Sequence, residues 1–178
     1  MDLSLRRARS DDWPAIWEIL SPVFRAGETY AVDPGISCAE ARAYWMAAPR
    51  ECWIAESGSR PVGTYYIKPN QPGGGAHVCN CGYVTAAAAR GRGIARAMGL
   101  HSLGRAAALG FAAMQFNFVV ETNGAALRLW RALGFEVAGR LPGAFRHPVH
   151  GLVDALVLYR VVEGAPDRTL NGAGGAAS

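Results

Sequence analysis

A mixed fold of the α/β or α+β class, with strands and helices intermingled, is what the sequence predicts. Three observations carry that expectation. Strand-like and helix-like segments follow one another in the order βααβββαβαββ. Of the residues, 51% are apolar and 18% charged, a composition suited to a globular domain. A length of 178 residues fits one domain with a substantial core better than two.

Residues 3–9 alternate weakly between apolar and polar and open the order as a strand. Ser10-Asp11-Asp12 offers a helix cap before Trp13-Pro14, where proline is tolerated. Ile16, Ile19 and Leu20 give that helix its apolar stripe, and Pro22, Gly27, Pro34 and Gly35 predict that residues 21–35 are mostly irregular. Ser37 and Glu40 form a capping box for a second helix that runs to about Ala47 and stops before Pro49. Residues 52–56 and 61–68 are strand-like on either side of Ser57-Gly58-Ser59-Arg60, a hairpin signal. Glycine-rich residues 69–75 interrupt the sheet. Residues 77–85 resume it, with Val78, Asn80 and Gly82 on one face and His77, Cys79 and Cys81 on the other.

Residues 93–109, rich in Ala, Leu and Met, form the third helix, ended by Gly110. Gly99 and Gly104 inside it cost helix propensity, which close packing would explain. Residues 114–121 are a strand with Met114, Phe116, Phe118 and Val120 on one face and Asn117, Val119 and Glu121 on the other. Thr122-Asn123 caps a short helix that Gly134 ends. Residues 135–139 and 152–162 are the last two strands. The domain is expected over residues 1–162, followed by a disordered Gly/Ala-rich tail, 163–178.

The same sequence narrows the class of function. No apolar run is long enough to cross a bilayer, and the first residues lack the apolar core of a signal peptide, so a cytoplasmic location without a membrane partner is expected. The net charge of +4 comes almost wholly from arginine, Lys68 being the only lysine. Arg90, Arg92, Arg96 and Arg105 cluster in one region, which suits a local anionic ligand. No nucleic-acid reading element accompanies them, and no nucleic-acid partner is expected. Cys38 and Cys52 are isolated, and Cys79 and Cys81 point the same way from one strand, so the thiols are expected reduced. His77 with Cys79 and Cys81 lacks the fourth ligand that tetrahedral coordination needs, and no metal is expected.

Arg90-Gly91-Arg92-Gly93-Ile94-Ala95 falls between a strand and a helix. A helix start presents free N–H groups and partial positive charge, and glycine lets a phosphate approach closely. A basic turn is the plainer reading of the same residues. The dinucleotide pattern G-x-G-x-x-G fails at Arg96, and the P-loop pattern is absent. The segment does match R/Q-x-x-G-x-G/A through Arg90, Gly93 and Ala95, and so resembles the acetyl-CoA loop of the GNAT N-acetyltransferases. Asn123 at the next helix cap and Leu133-Gly134-Phe135 follow in the order of that family. The resemblance covers about residues 3–162 and is closest to the L-azetidine-2-carboxylate (proline-analogue) N-acetyltransferase branch. Gly63-Thr64-Tyr65-Tyr66-Ile67-Lys68-Pro69-Asn70, His77-Val78-Cys79-Asn80 and Ala113-Met114-Gln115-Phe116-Asn117-Phe118-Val119-Val120 carry that closer match. Phe145-Arg146-His147-Pro148 and Asp154-Ala155-Leu156-Val157 extend it.

The resemblance implies a mixed, mostly antiparallel central sheet of about seven strands flanked by about four helices. It implies an acetyl-CoA-dependent N-acetyltransferase acting on a small amine, an amino acid or proline analogue above all, and a homodimer. By resemblance the backbone of Tyr83, Val84 and Thr85 pairs with the pantetheine arm, and Arg90, Gly91, Arg92, Gly93, Ile94 and Ala95 hold the pyrophosphate. Asn123 is placed at the pantetheine amides and the active site, although a helix cap accounts for it equally. Asn117 is placed at the active site and acceptor, and Asn80 on the substrate carboxylate; a backbone partner is the other reading for each. Glu121 is a candidate to take a proton from the acceptor through water, or simply a solvated strand end. His147, His150 and Asp154 belong to the matching C-terminal segment without an assigned role. Where many members of the family carry a tyrosine acid in the fourth helix, this chain has Trp130, whose indole cannot act as that acid. Water or the bound substrate is then left to protonate the thiolate. Two other readings remain: an enzyme for another small amine (an antibiotic, a herbicide-like amino acid or a polyamine), and a non-catalytic acetyl-CoA-binding regulatory module.

Overall fold

The computed structural model describes residues 2–163. Seven strands and four helices alternate along them: β1 Leu3–Arg7, α1 Trp13–Ala26, α2 Cys38–Met46, β2 Glu51–Ser57, β3 Arg60–Pro69, β4 Val78–Thr85, α3 Ile94–Ala108, β5 Ala113–Val120, α4 Gly124–Ala132, β6 Glu136–His147 and β7 Gly151–Val161. The strands form one sheet in the order β1-β2-β3-β4-β5-β7-β6. Every neighbouring pair is antiparallel except β4 and β5. The expected disorder of the tail concerns residues that, beyond Glu163, lie outside those described. Among the described residues no helix is long and apolar enough to cross a membrane.

Strand alternation gives the sheet two apolar faces, and each pair of helices covers one. On one face α1 and α2 bury Ile16, Leu20, Phe24 and Trp45 against Ile54, Tyr66 and Val84. On the other, Ile94 and Met98 of α3 and Leu127 and Trp130 of α4 pack on Tyr65, Ile67, Cys79, Met114 and Phe116. The buried Thr64 hydroxyl between α2 and the sheet is satisfied: it accepts from the Trp45 indole at 3.1 Å and donates to the Trp53 carbonyl at 2.9 Å.

Several expectations are corrected. Helix α1 does not stop near Ser21 but runs through Pro22 to Ala26, ending at Gly27 in the left-handed conformation. Burial of Phe24 against Tyr30, Tyr44 and Trp45 favours the continued turn over the loss of one backbone donor. Strand β6 extends to His147 rather than ending near Gly139, because it is an edge strand that tolerates Pro142 and absorbs Ala138 and residues 142–144 as register shifts. In β5 a register shift between Phe116 and Val119 breaks the expected alternation. Phe116 and Val119 both face the α3 and α4 core, while Phe118 turns to Phe145. Gly99 is closely packed as expected, since a Cβ there would lie 2.6 Å from Leu133. Gly104 is not; its Cβ would meet nothing within 4 Å.

At the sheet's first edge Arg6 lies between Asp12 and Glu56, at 2.7 Å from each. The hydrogen bond from Arg6, opposed in part by burial, brings the Asp12 carboxyl from 3.8 down to about 2. A carboxylate more acidic folded than unfolded adds stability that is complete above its unfolded pKa and is lost as the pH falls toward the folded one. Asp12→Asn is expected to lower the melting temperature at pH 7 by about 2–4 °C, corresponding to about 1 kcal/mol. The gap to the parent should close as the pH is lowered from 4 to 2; thermal melts showing a constant gap would contradict the ion pair.

Candidate active site

The parallel pairing of β4 and β5 extends over Val78↔Ala113 and Cys79↔Met114 only, although each strand has 8 residues. Beyond that point the strands diverge and the sheet opens into a cleft of about 920 Å³. Asn80 occupies the crotch of the fork. Its buried side chain donates from Nδ2 to the Gln115 carbonyl at 2.9 Å and accepts the Tyr66 hydroxyl on Oδ1 at 3.5 Å. The amide thus replaces, for Gln115, the strand partner that divergence removes. Asn117 is exposed; it donates to Asn70 at 2.7 Å and accepts from Gln115 at 2.8 Å.

The direction of the free backbone groups follows from the ladder with β3. The Ala86 amide donates to the Val62 carbonyl, and the Asn70 amide to the Val78 carbonyl. Alternate residues of an antiparallel strand turn their polar groups to the same side. Asn80, Gly82 and Val84 therefore pair with β3, whereas Cys81, Tyr83 and Thr85 turn theirs toward the gap. The Tyr83 carbonyl, facing that way, accepts the Tyr30 hydroxyl at 3.0 Å. Of the three residues expected to act through their backbone, Tyr83 and Thr85 turn their polar groups to the gap, whereas those of Val84 face β3 and its side chain lies in the core under α1.

The loop after β4 delivers Arg90 to the cleft wall and ends at Gly93, the residue before α3. Gly91 and Gly93 have φ of 75° and 77°. A Cβ at either would meet open space, so left-handed backbone, not crowding, is what requires glycine. Gly93 offers no side-chain cap, and the first bond into the helix is Ala97 N–H to the Gly93 carbonyl. The amides of Ile94, Ala95 and Arg96 precede that bond and remain for an anion.

Asn123 caps α4, its Oδ1 accepting the Ala126 amide at 3.2 Å, and also lines the cleft. The cap is thus observed, and the same residue stands at the cleft wall. Trp130 lines the same cleft from α4, its ring 4.8 Å from Tyr83 and 4.7 Å from Phe116. His147 and His150 reach the wall from the β6–β7 hairpin. Glu121 and Asp154 do not line it: Arg140 holds them together at 2.7 Å each. Burial raises the Tyr30 and Tyr83 phenols well above their ordinary range, so both remain protonated. Among the described residues no group of three or more His, Cys, Asp or Glu could hold a metal ion, and all four cysteines are free. His77 lies outside β4, beside the Gly74 carbonyl.

Tyr30, Arg50 and Lys68 are among the cleft residues to which the sequence assigned no site role. Lys68 carried a signal, as the only lysine and two residues from Tyr66 on one strand face. Tyr30 and Arg50 reach the cleft through tertiary packing, which no local pattern marks.

Known proteins resemble this arrangement. The sequence model of the acetyltransferase (GNAT) family matches residues 13–135. The N-acetyltransferase aca1 of Schizosaccharomyces pombe is 33% identical over 148 residues, covering 74% of this chain and 71% of the relative. A GCN5-related N-acetyltransferase from Kribbella flavida superposes with a TM-score of 0.85 at 43% identity, over 89% of this chain and 97% of that one. A phosphinothricin acetyltransferase from Sinorhizobium meliloti, solved with acetyl-CoA, shares the fold at a TM-score of 0.81 and 22% identity over 97% of both chains.

Removing the Asn80 amide leaves the Gln115 carbonyl without its partner at the crotch. Asn80→Ala is expected to cost about 1–3 kcal/mol in denaturant unfolding. Stability equal to the parent's would show that the fork does not depend on this wedge.

Proposed function

The chain belongs to the GNAT acetyltransferase family, whose seven-stranded sheet and four helices it reproduces, and from that premise we propose that it transfers the acetyl group of acetyl-CoA to the amine of a small amino acid or proline analogue. The chain is an acetyl-CoA-dependent acyltransferase. The observation that carries the proposal is the fork between β4 and β5, with a free helix start at one end and an asparagine at its crotch.

In this reading Arg90, Gly91, Arg92, Gly93, Ile94 and Ala95 hold the pyrophosphate, the loop by its left-handed glycines and α3 by its unspent amides. Tyr83 and Thr85 supply the backbone edge for the pantetheine arm, joined by the side chain of Asn123. Acetyl-CoA supplies an activated thioester. The Tyr83 amide donates to its carbonyl oxygen, where charge develops as the amine attacks. Asn80 and Asn117 border the acceptor half of the cleft. Trp130 closes the apolar wall beside the thioester and transfers no proton. Glu121, paired with Arg140, is left a structural part at the end of β5. A cytoplasmic homodimer with no nucleic-acid or membrane partner completes the proposal.

Among other small amines, polyamines fit this cleft poorly, since Arg50, Lys68 and Arg90 stand on its wall with Glu28 as its only acidic residue among the described residues. A non-catalytic acetyl-CoA-binding module is separated from the enzyme by turnover. In a thiol-release assay with acetyl-CoA, activity is expected with cyclic secondary or primary amino acids; activity confined to polyamines would overturn the amino-acid reading, and binding without turnover would favour the regulatory module. A general acid contributes about 10²–10⁴-fold to rate. Trp130→Phe is therefore expected to lower kcat by less than about tenfold. A larger fall, with acetyl-CoA binding and melting temperature unchanged, would give the indole a chemical role.

A further inference from the structure

Arg50 leads into β2, Lys68 lies on β3 and Asn80 on β4. Lys68 pairs with Asn80, and the register Glu51↔Ile67 carried one step further sets Arg50 opposite Lys68. All three line the cleft. A guanidinium, an ammonium and a carboxamide thus form one row across three strands, on the face where Tyr66 meets Trp45.

The two cations lack an anion. Arg6, Arg105 and Arg140 each hold a carboxylate, but among the described residues neither Arg50 nor Lys68 has an ion pair. The Arg50 guanidinium lies over the Tyr44 and Tyr66 rings, 5.4 Å and 5.3 Å from their centroids. These rings fix its position and leave its charge unneutralised. Its Nε is the only buried side-chain nitrogen or oxygen without a hydrogen-bond partner among the described residues. Burial, followed by the charge of Arg50, holds the Lys68 ammonium below its usual range. Two partly desolvated like charges and an unsatisfied donor are costly unless a bound anion joins them.

We propose that Arg50 and Lys68, with Asn80 beside them, form an anion-binding subsite that takes the carboxylate of the acceptor. The subsite selects amino acids over simple amines and fixes which end of the acceptor faces the Tyr83 amide. This inference rests on the amino-acid reading above and adds the residues that enforce it.

The test compares the preferred amino acid with its carboxamide in the thiol-release assay, for the parent, Arg50→Met and Lys68→Met. Each variant is expected to raise KM for the free acid about 10–100-fold, the loss associated with a hydrogen bond to a charged group. KM for acetyl-CoA and kcat/KM for the carboxamide should stay within about twofold, well inside the scatter of such interactions. Arg50→Lys, which keeps the charge, should recover part of the loss. An acid-to-carboxamide preference unchanged in both Met variants overturns the subsite while amino-acid acetylation stands. No turnover of any amino acid by the parent overturns both. If Arg50→Met fails to fold, the same ratio in Lys68→Met decides.

Discussion

A strand that leaves its neighbour must find other partners for the backbone groups it exposes. β4 and β5 part after Cys79 and Met114, and the cleft is built from what satisfies, or leaves unsatisfied, the groups beyond that point. The Asn80 amide takes the Gln115 carbonyl, and the Tyr30 hydroxyl takes the Tyr83 carbonyl. What remains is a short edge of backbone donors and acceptors facing the gap, suited to an extended ligand.

That edge is useful only if it is rigid, because donors aimed in advance stabilise developing charge without reorganising. Tyr83 shows how rigidity is obtained. Its hydroxyl is bonded to Ser102 of α3 at 2.7 Å, and its ring packs on Trp130 of α4. Ser102 in turn donates to the Gly99 carbonyl at 2.8 Å. The same helix is tied to β2 by Arg105, which grips Glu51 at 2.6 Å and 2.8 Å. Helix α3, whose first amides face the proposed pyrophosphate position, is therefore anchored to the strand whose amides face the proposed thioester position. Gly99 allows the close approach of Leu133 that completes this arrangement.

Where local chemistry dictates structure, the sequence was legible. Ser37 and Glu40 form the capping box they announce, Gly58 turns the β2–β3 hairpin with φ of 62°, and Asn123 caps α4. The place of Gly91 and Gly93 in a turn between strand and helix was legible, but their reason was not: the sequence suggested room for a phosphate, whereas left-handed backbone is what requires glycine there. The misreadings fall where distant packing overrides a local rule. Pro22 argued for a helix end, and the aromatic cluster around Phe24 overrode it. The spacing of Phe116 and Phe118 argued for one face, and the register shift in β5 separated them. Arg50 could not be found at all without the β2–β3 register, because nothing near it in sequence marks a cation set over two tyrosine rings.

In the proposed reading the gap edge of β4 and the start of α3 together receive acetyl-CoA. Amide hydrogen exchange resolved to single residues, with and without acetyl-CoA, tests it directly. Strong added protection is expected at Tyr83 and Thr85 and from Gly93 to Arg96, with little change at Gly82 and Val84, whose amides already pair with β3. Protection absent from Tyr83 and Thr85, or equal along all of β4, would contradict the account.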